Sequence, residues 1–293
     1  MNASLGRSPG SQLAAYWRLM RFHKPIGIYL LLWPTLWGLW LAAGGLPPLK
    51  VLVVFVLGTV LMRAAGCVIN DYADRDFDGH VARTRDRPIA AGLVRADEAV
   101  RLAVVLALIA FGLTTSLHRL QVLMLAVPAV IIAAAYPFMK RFISVPQAVL
   151  GLAFSWGIPM AYAAVRDVVP VGEVAALMLA NLCWVVAYDT YYAMADREDD
   201  LKLGLKSSAI FFGRADRALV IGLQLVSLAL LAALGAYRHL AWPYFAGLAG
   251  AALTVVHQAR LTRNRDPAQC FKAFLNNNLF GALVFLGLLL ALM

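Results

Sequence analysis

Charge is scarce in this chain, and cysteine is scarcer still. Asp, Glu, Lys and Arg make up 14% of the 293 residues, with 16 acidic side chains in all. Cys67, Cys183 and Cys270 stand far apart, without the paired spacing of a zinc site, a redox motif or a disulfide framework, so they read as small buried hydrophobes. The opening stretch MNASLGRSPGSQLAAYWRLMRFHKPIG lacks the basic, apolar and small-residue order of a cleavable signal. It reads as a short tail entering an amphipathic helix, with no targeting peptide evident.

What fills the chain is hydrocarbon. Hydrophobic residues make up 62% and the mean hydropathy is +0.74, outside the range of soluble globular proteins. Apolar runs of about 20 residues, enough to cross the bilayer core, fall near 25–43, 49–69, 99–117, 119–138, 146–165, 172–194, 218–237, 241–258 and 274–292. The expected fold class is therefore all-α integral membrane with nine transmembrane helices, since lipid leaves backbone groups no other partner. Pro34, Pro128 and Pro159 fall inside runs and predict kinks. Residues 1–24 are expected to form the tail and interfacial helix, and 25–293 a single nine-helix transmembrane domain.

With the N-terminus inside, the inner segments hold 21 of the 26 basic residues. That imbalance predicts a cytoplasmic N-terminus and an outward C-terminus. It also accounts for the net charge of +10 through topology and anionic membrane lipids, leaving no role for nucleic acid.

Nine of the 16 acidic residues crowd into two windows. Asp71, Asp74, Asp76 and Asp78 close the second run; Asp189, Asp196, Glu198, Asp199 and Asp200 close the sixth. Each window follows an even-numbered run and precedes a basic loop, which suggests two related halves at about 25–138 and 146–258. On a helix, Asn70, Asp74 and Asp78 lie within about 80° of one another, and Asp189, Asp196 and Asp200 within about 40°. Carboxylates this dense near hydrocarbon persist only beside compensating cations. Solvated charges paired with nearby arginines explain either window alone. Two windows on the same side, with Asp189 reaching back into the apolar run, favour a hard cation such as Mg²⁺ bridging to a substrate diphosphate. Arg83, Arg85, Arg87, Lys140, Arg141, Lys202 and Lys206 are available for the phosphate oxygens.

NDYADRDFDGHVARTRDRP (70–88) and YDTYYAMADREDDLKLGLKS (188–207) resemble the two aspartate-rich signatures of the UbiA-type intramembrane aromatic prenyltransferases. RFHKPIG, YPFMKR and FKAFLNNN extend the likeness over essentially the whole chain, and the combination is most similar to the 4-hydroxybenzoate branch. The resemblance implies a helical bundle around a central cavity open sideways to lipid. It implies Mg²⁺ on Asn70, Asp74, Asp196 and Asp200, with Asp71, Asp78 and Asp189 as further ligands or supports, and Arg83, Lys140 and Lys206 on the diphosphate of a polyprenyl donor. The acceptor would be 4-hydroxybenzoate, prenylated ortho to its hydroxyl on the way to ubiquinone. Asp189, released diphosphate or water would take the ring proton, and Arg21, His23, Lys24 or Arg141 would meet the aromatic carboxylate. Tyr136 is the aromatic that the resemblance places in the site. Trp184, Tyr188, Tyr191 and Tyr192 read as interfacial anchors whose faces would otherwise steady a carbocation. Asn276 to Asn278 read as a cap at the start of the last helix, or as cavity lining. Relatives with other acceptors (homogentisate, dihydroxynaphthoate, haem) share the metal site, and a cation or metabolite carrier shares the intramembrane charge, though a carrier needs that charge at the midplane.

Overall fold

The computed structural model describes residues 9–79 and 84–293. Regular structure among them is entirely helical. A short α1 (Pro9–Leu19) leads to α2 (Ile26–Ala43), α3 (Leu49–Asp78), α4 (Ala96–Thr115) and α5 (Leu120–Ala135). A 3₁₀ turn (Tyr136–Arg141) connects to α6 (Pro146–Ser155) and α7 (Gly157–Arg166). Then come α8 (Val171–Lys202), a single turn α9 (Ser208–Phe212), α10 (Asp216–Tyr237), α11 (Trp242–Leu261) and α12 (Pro267–Ala291).

Among the described residues, eight helical stretches are long and apolar enough to cross a membrane. The ninth expected run is present as α11, but its Trp-Pro-Tyr start and its His257, Gln258 and Arg260 keep it below the apolar content of the others. Of the expected kinks, Pro34 and Pro128 lie within continuous helices. Pro159 lies one turn past a real break at Trp156: proline has no N–H for the Ser155 carbonyl, so α6 stops there.

Two helices outrun the bilayer. At 30 and 32 residues, α3 and α8 are about 45 and 48 Å long against a hydrocarbon core of about 30 Å. No proline or glycine interrupts α3 between Gly66 and Gly79, and α8 runs until Gly204 takes a left-handed φ of 67°. Both acidic windows are thus the final turns of long helices rather than loops.

The bundle has a solid side and a hollow side. On the solid side, α8 packs on α6, α10 and α12, α2 on α7 and α12, and α11 on α12. Trp37, Trp184, Tyr162, Tyr244 and Phe280 fill its core. The α11–α12 crossing is close because Gly247 faces Gly287: a Cβ at Gly247 would stand 2.6 Å from the Leu283 carbonyl and 2.8 Å from Gly287 Cα. Such small-residue contacts let helices approach backbone to backbone. At the end away from the acidic windows, a buried Glu173 accepts from Arg238 (3.0 and 3.1 Å) and from Tyr162 (2.5 Å). Arg238 and Arg166 also donate to the last carbonyls of α2, at Leu41 and Ala42.

On the other side α3, α4 and α5 wall a cavity of about 920 Å³, lined along α3 from Val54 to Asp78, a run of about 36 Å at helical rise. The outer faces of α4 and α5 expose Val104, Leu108, Ile109, Val127 and Ile131, as lipid-facing helices do. A second small core of Ala15, Leu19, Val68, Ala99 and Ala103 holds α1 against α3 and α4, which sets the following turn over the mouth of the cavity.

Candidate active site

The carboxylate stripe of α3 is built into a frame of cations. Asp71 is 1% exposed; its Oδ1 accepts from Arg21 at 2.7 Å and lies 3.3 Å from Arg87. Arg21 reaches it from the turn after α1, in a left-handed conformation (φ 62°) that is uncommon outside glycine. Arg87 comes from the loop after α3, where Thr84 bonds the Asp78 carbonyl, and it donates to both Asp78 oxygens at 3.0 and 2.9 Å. Burial alone would lower the Arg87 pKa, but the Asp71 and Asp78 carboxylates outweigh it and raise it. Lys140, in the 3₁₀ turn, stands 2.5 Å from Asp74 Oδ1, a charge contact without hydrogen-bond alignment, while the Asn70 amide donates to Asp74 Oδ2 at 3.3 Å.

The stripe of α8 faces the same cavity. Asp189, Asp196, Asp199 and Asp200 line it together with Asn70, Asp71, Asp74 and Asp78, so the two acidic windows meet across one space. Below them is a polar pocket inside the spans. Asp189 lies within electrostatic reach of the Gln147 amide and of Arg63; Tyr136 and Tyr188 complete it. Further along, Tyr192, Phe271 and Phe274 form an aromatic wall, with Tyr192–Phe274 centroids 5.0 Å apart. Leu30, Val54, Phe55 and the small Gly58, Ala107, Ala110, Ala126, Ala129 and Ala133 continue the cavity as an apolar passage.

Most residues singled out in the sequence converge here: Arg21, His23, Lys24, Tyr136, Lys140 and Lys206 all line the cavity. Several make contacts other than those expected. His23 and Lys24 are exposed at the rim, and partial burial, with Lys24, Arg21 and Arg18 adding repulsion, lowers the His23 pKa. Lys206 donates to the Phe142 carbonyl at 2.9 Å. Arg141 is not among the lining residues: it bonds the Ala73 carbonyl and lies over the Phe77 and Phe138 rings at 5.5 and 5.6 Å. Both Asp78 oxygens belong to Arg87. Arg83 and His80 lie outside the described residues.

The aromatics of α8 are not interfacial anchors, since Trp184, Tyr188 and Tyr191 are at most 1% exposed. Nor do the asparagines start a helix. Asp266 caps α12, accepting from the Gln269 amide at 2.9 Å, so Asn276 to Asn278 lie mid-helix. Asn277 is fully buried in an amide network with Gln224, Gln258 and Trp184. The residue that sequence reasoning missed is Arg63. A guanidinium within a span is costly unless it serves a site, and Gly27 makes its space, because a Cβ there would collide with Arg63 Nε and Nη2.

Whether the site suits a metal turns on its oxygens. Asp71 Oδ2 is buried with no hydrogen-bond partner, a costly state for a carboxylate. Among the described residues, no three His, Cys, Asp or Glu side chains stand close enough to form a metal cage. Hard oxygens on two helices without a closed cage fit a divalent cation that shares its shell with water and a bound anion.

The UbiA prenyltransferase family matches residues 31–289, and the chain belongs to that family. It is a multi-pass membrane protein with the family's helical fold. The 4-hydroxybenzoate octaprenyltransferase of Aeromonas salmonicida (strain A449) is 58% identical over 277 residues, covering 94% of this chain and 95% of that protein. The protein of the same name from Methylobacillus flagellatus is 56% identical over 278 residues, covering 95% and 93%. Among solved structures, the apo UbiA homologue from Aeropyrum pernix K1 superposes with a TM-score of 0.80 at 23% identity, covering 91% of this chain and 98% of that one. A UbiA homologue from Archaeoglobus fulgidus bound to GPP and Mg²⁺ gives a TM-score of 0.66 at 19% identity, covering 95% and 99%.

Proposed function

We propose that this protein transfers a polyprenyl group from a polyprenyl diphosphate to the ring of 4-hydroxybenzoate, ortho to the hydroxyl, releasing diphosphate in the synthesis of ubiquinone. The observation that carries the reading is the meeting of the α3 and α8 carboxylates in one cavity that also contains a polar aromatic pocket and a long apolar passage. The passage takes the tail, the acidic mouth the diphosphate, and the pocket the acceptor. The relatives named above make an octaprenyl donor the first to test.

Asn70, Asp74, Asp196 and Asp200, with the unpartnered oxygen of Asp71, would hold Mg²⁺. When bound, the ion neutralises charge on the departing diphosphate. Lys140, Lys206 and the loop arginines add positive potential around it. The C1–O bond of the donor breaks with its electron pair leaving on diphosphate. The ring carbon then bonds to C1, and Asp189 takes the displaced ring proton. Arg63 faces the acceptor carboxylate, and the faces of Tyr192 and Phe274 steady positive charge on the allyl group. Apolar walls keep water from capturing it. The basic excess at this end supports a site on the cytoplasmic face of the bacterial inner membrane.

Membranes containing the protein, incubated with Mg²⁺, octaprenyl diphosphate and a panel of labelled aromatic acids, are expected to give prenylated 4-hydroxybenzoate. The product should vanish with EDTA and in Asp74→Ala and Asp196→Ala. Wild-type turnover by both variants would refute the metal assignment, and selective turnover of a different acid would refute the acceptor.

A further inference from the structure

The pocket contains a polar atom that the reaction above leaves unused. Tyr188 is 1% exposed and lines the cavity, and its hydroxyl has no hydrogen-bond partner. That hydroxyl lies within electrostatic reach of Asp189, Arg63 and Tyr136, so it belongs to the polar pocket. The ring is not free to swing elsewhere. Trp184 packs edge-on against it at 5.2 Å and Phe274 lies at 6.0 Å. Trp184 is itself fixed by stacking on Phe280 at 5.1 Å and by donating to Asn277 at 2.9 Å.

A buried hydroxyl without a partner costs about 1–3 kcal/mol, and phenylalanine would fill the same space without that cost. A tyrosine held rigidly here therefore implies that its partner arrives with the substrate. A neutral phenol is a hydrogen-bond donor; of the two charges that reach it, Asp189 acts more strongly than Arg63, and an anionic acceptor group would meet the phenol on its Arg63 side.

Building on the function proposed above, we infer that Tyr188 Oη donates a hydrogen bond to the carboxylate of the aromatic acceptor, next to Arg63, and so sets the preference for an aromatic acid over an uncharged phenol. Tyr188 is then a specificity residue of the acceptor pocket, remote from the diphosphate.

The test compares full-length wild type and Tyr188→Phe in detergent, measuring kcat and KM for 4-hydroxybenzoate, for octaprenyl diphosphate, and for phenol as an acceptor without the carboxylate. The variant is expected to raise KM for 4-hydroxybenzoate about tenfold, the loss of one hydrogen bond to a charged group. Its KM for the diphosphate should not move, and its discrimination between the acid and phenol should fall by the same factor. Its unfolding temperature without substrate should stay level or rise, because an unsatisfied hydroxyl has been removed. An unchanged KM and an unchanged acid-to-phenol ratio, with wild type active, would overturn this inference alone. Wild type inactive on 4-hydroxybenzoate would overturn the proposed function and this inference with it. Should the phenylalanine variant fail to fold, Tyr188→Met carries the same comparison.

Discussion

Arg87 donates to both carboxylate oxygens of Asp78, at 3.0 and 2.9 Å. The loop after α3 is thereby tied to the helix it leaves, and the same guanidinium lies 3.3 Å from Asp71. Removing one partner of a buried ion pair strands the other, at about 3 kcal/mol or more. Arg87→Met should therefore lower the unfolding midpoint in detergent by that equivalent, and Arg87→Met with Asp78→Leu should recover most of it. Equal instability of the single and double variants would show that the pair is not the source.

Gly27 gives up its side chain to the Arg63 guanidinium. Gly27→Ala is expected to displace that group and lower kcat/KM for the aromatic acid by about tenfold to a hundredfold, the scale of a misplacement near 1 Å. KM for the diphosphate should hold. Steady-state kinetics with each substrate varied in turn separates the two effects.

Arg141 serves the frame rather than the cavity. Its loss removes a charged hydrogen bond to the Ala73 carbonyl and two cation–π contacts, together about 2 kcal/mol. Arg141→Ala should lower thermal stability while leaving KM for both substrates unchanged. A rise in KM for the acid alone would instead return Arg141 to the acceptor site.

At the α11–α12 crossing, backbone atoms of α12 at Leu283 and Gly287 oppose any added carbon at Gly247. Gly247→Val should cost about 3 kcal/mol, since overpacking that only a helix shift can relieve is at the upper end of its range. The readout is the yield and melting temperature of folded protein.

The α3 stripe was legible because helical periodicity carries straight through Asn70, Asp74 and Asp78 with no proline to interrupt it. Asp189 was legible as a carboxylate where a solvated loop needs none. Hydropathy misled at the helix ends: it drops near Met194, whereas α8 continues to Lys202, so Trp184 and Tyr188 seemed interfacial when they lie well inside. The same effect hid the start of α12, although Asp266 followed by Pro267 is a readable capping signal. Arg63 was visible as a charge in a span, but only its contact with Gly27 and its place opposite Asp189 give it a purpose. The cations on the α3 stripe come from the turn after α1, the loop after α3 and the 3₁₀ turn, and no local pattern fixes which arginine meets which aspartate.

The apolar passage runs alongside the first half of α3, from Val54 through Gly58 to Met62. A greasy tail lying there never leaves an oil-like medium, whether it arrives, reacts or departs. In the proposed reaction the new quinone precursor is born already dissolved in the bilayer, and the energetic toll of lifting such a molecule through water is never levied.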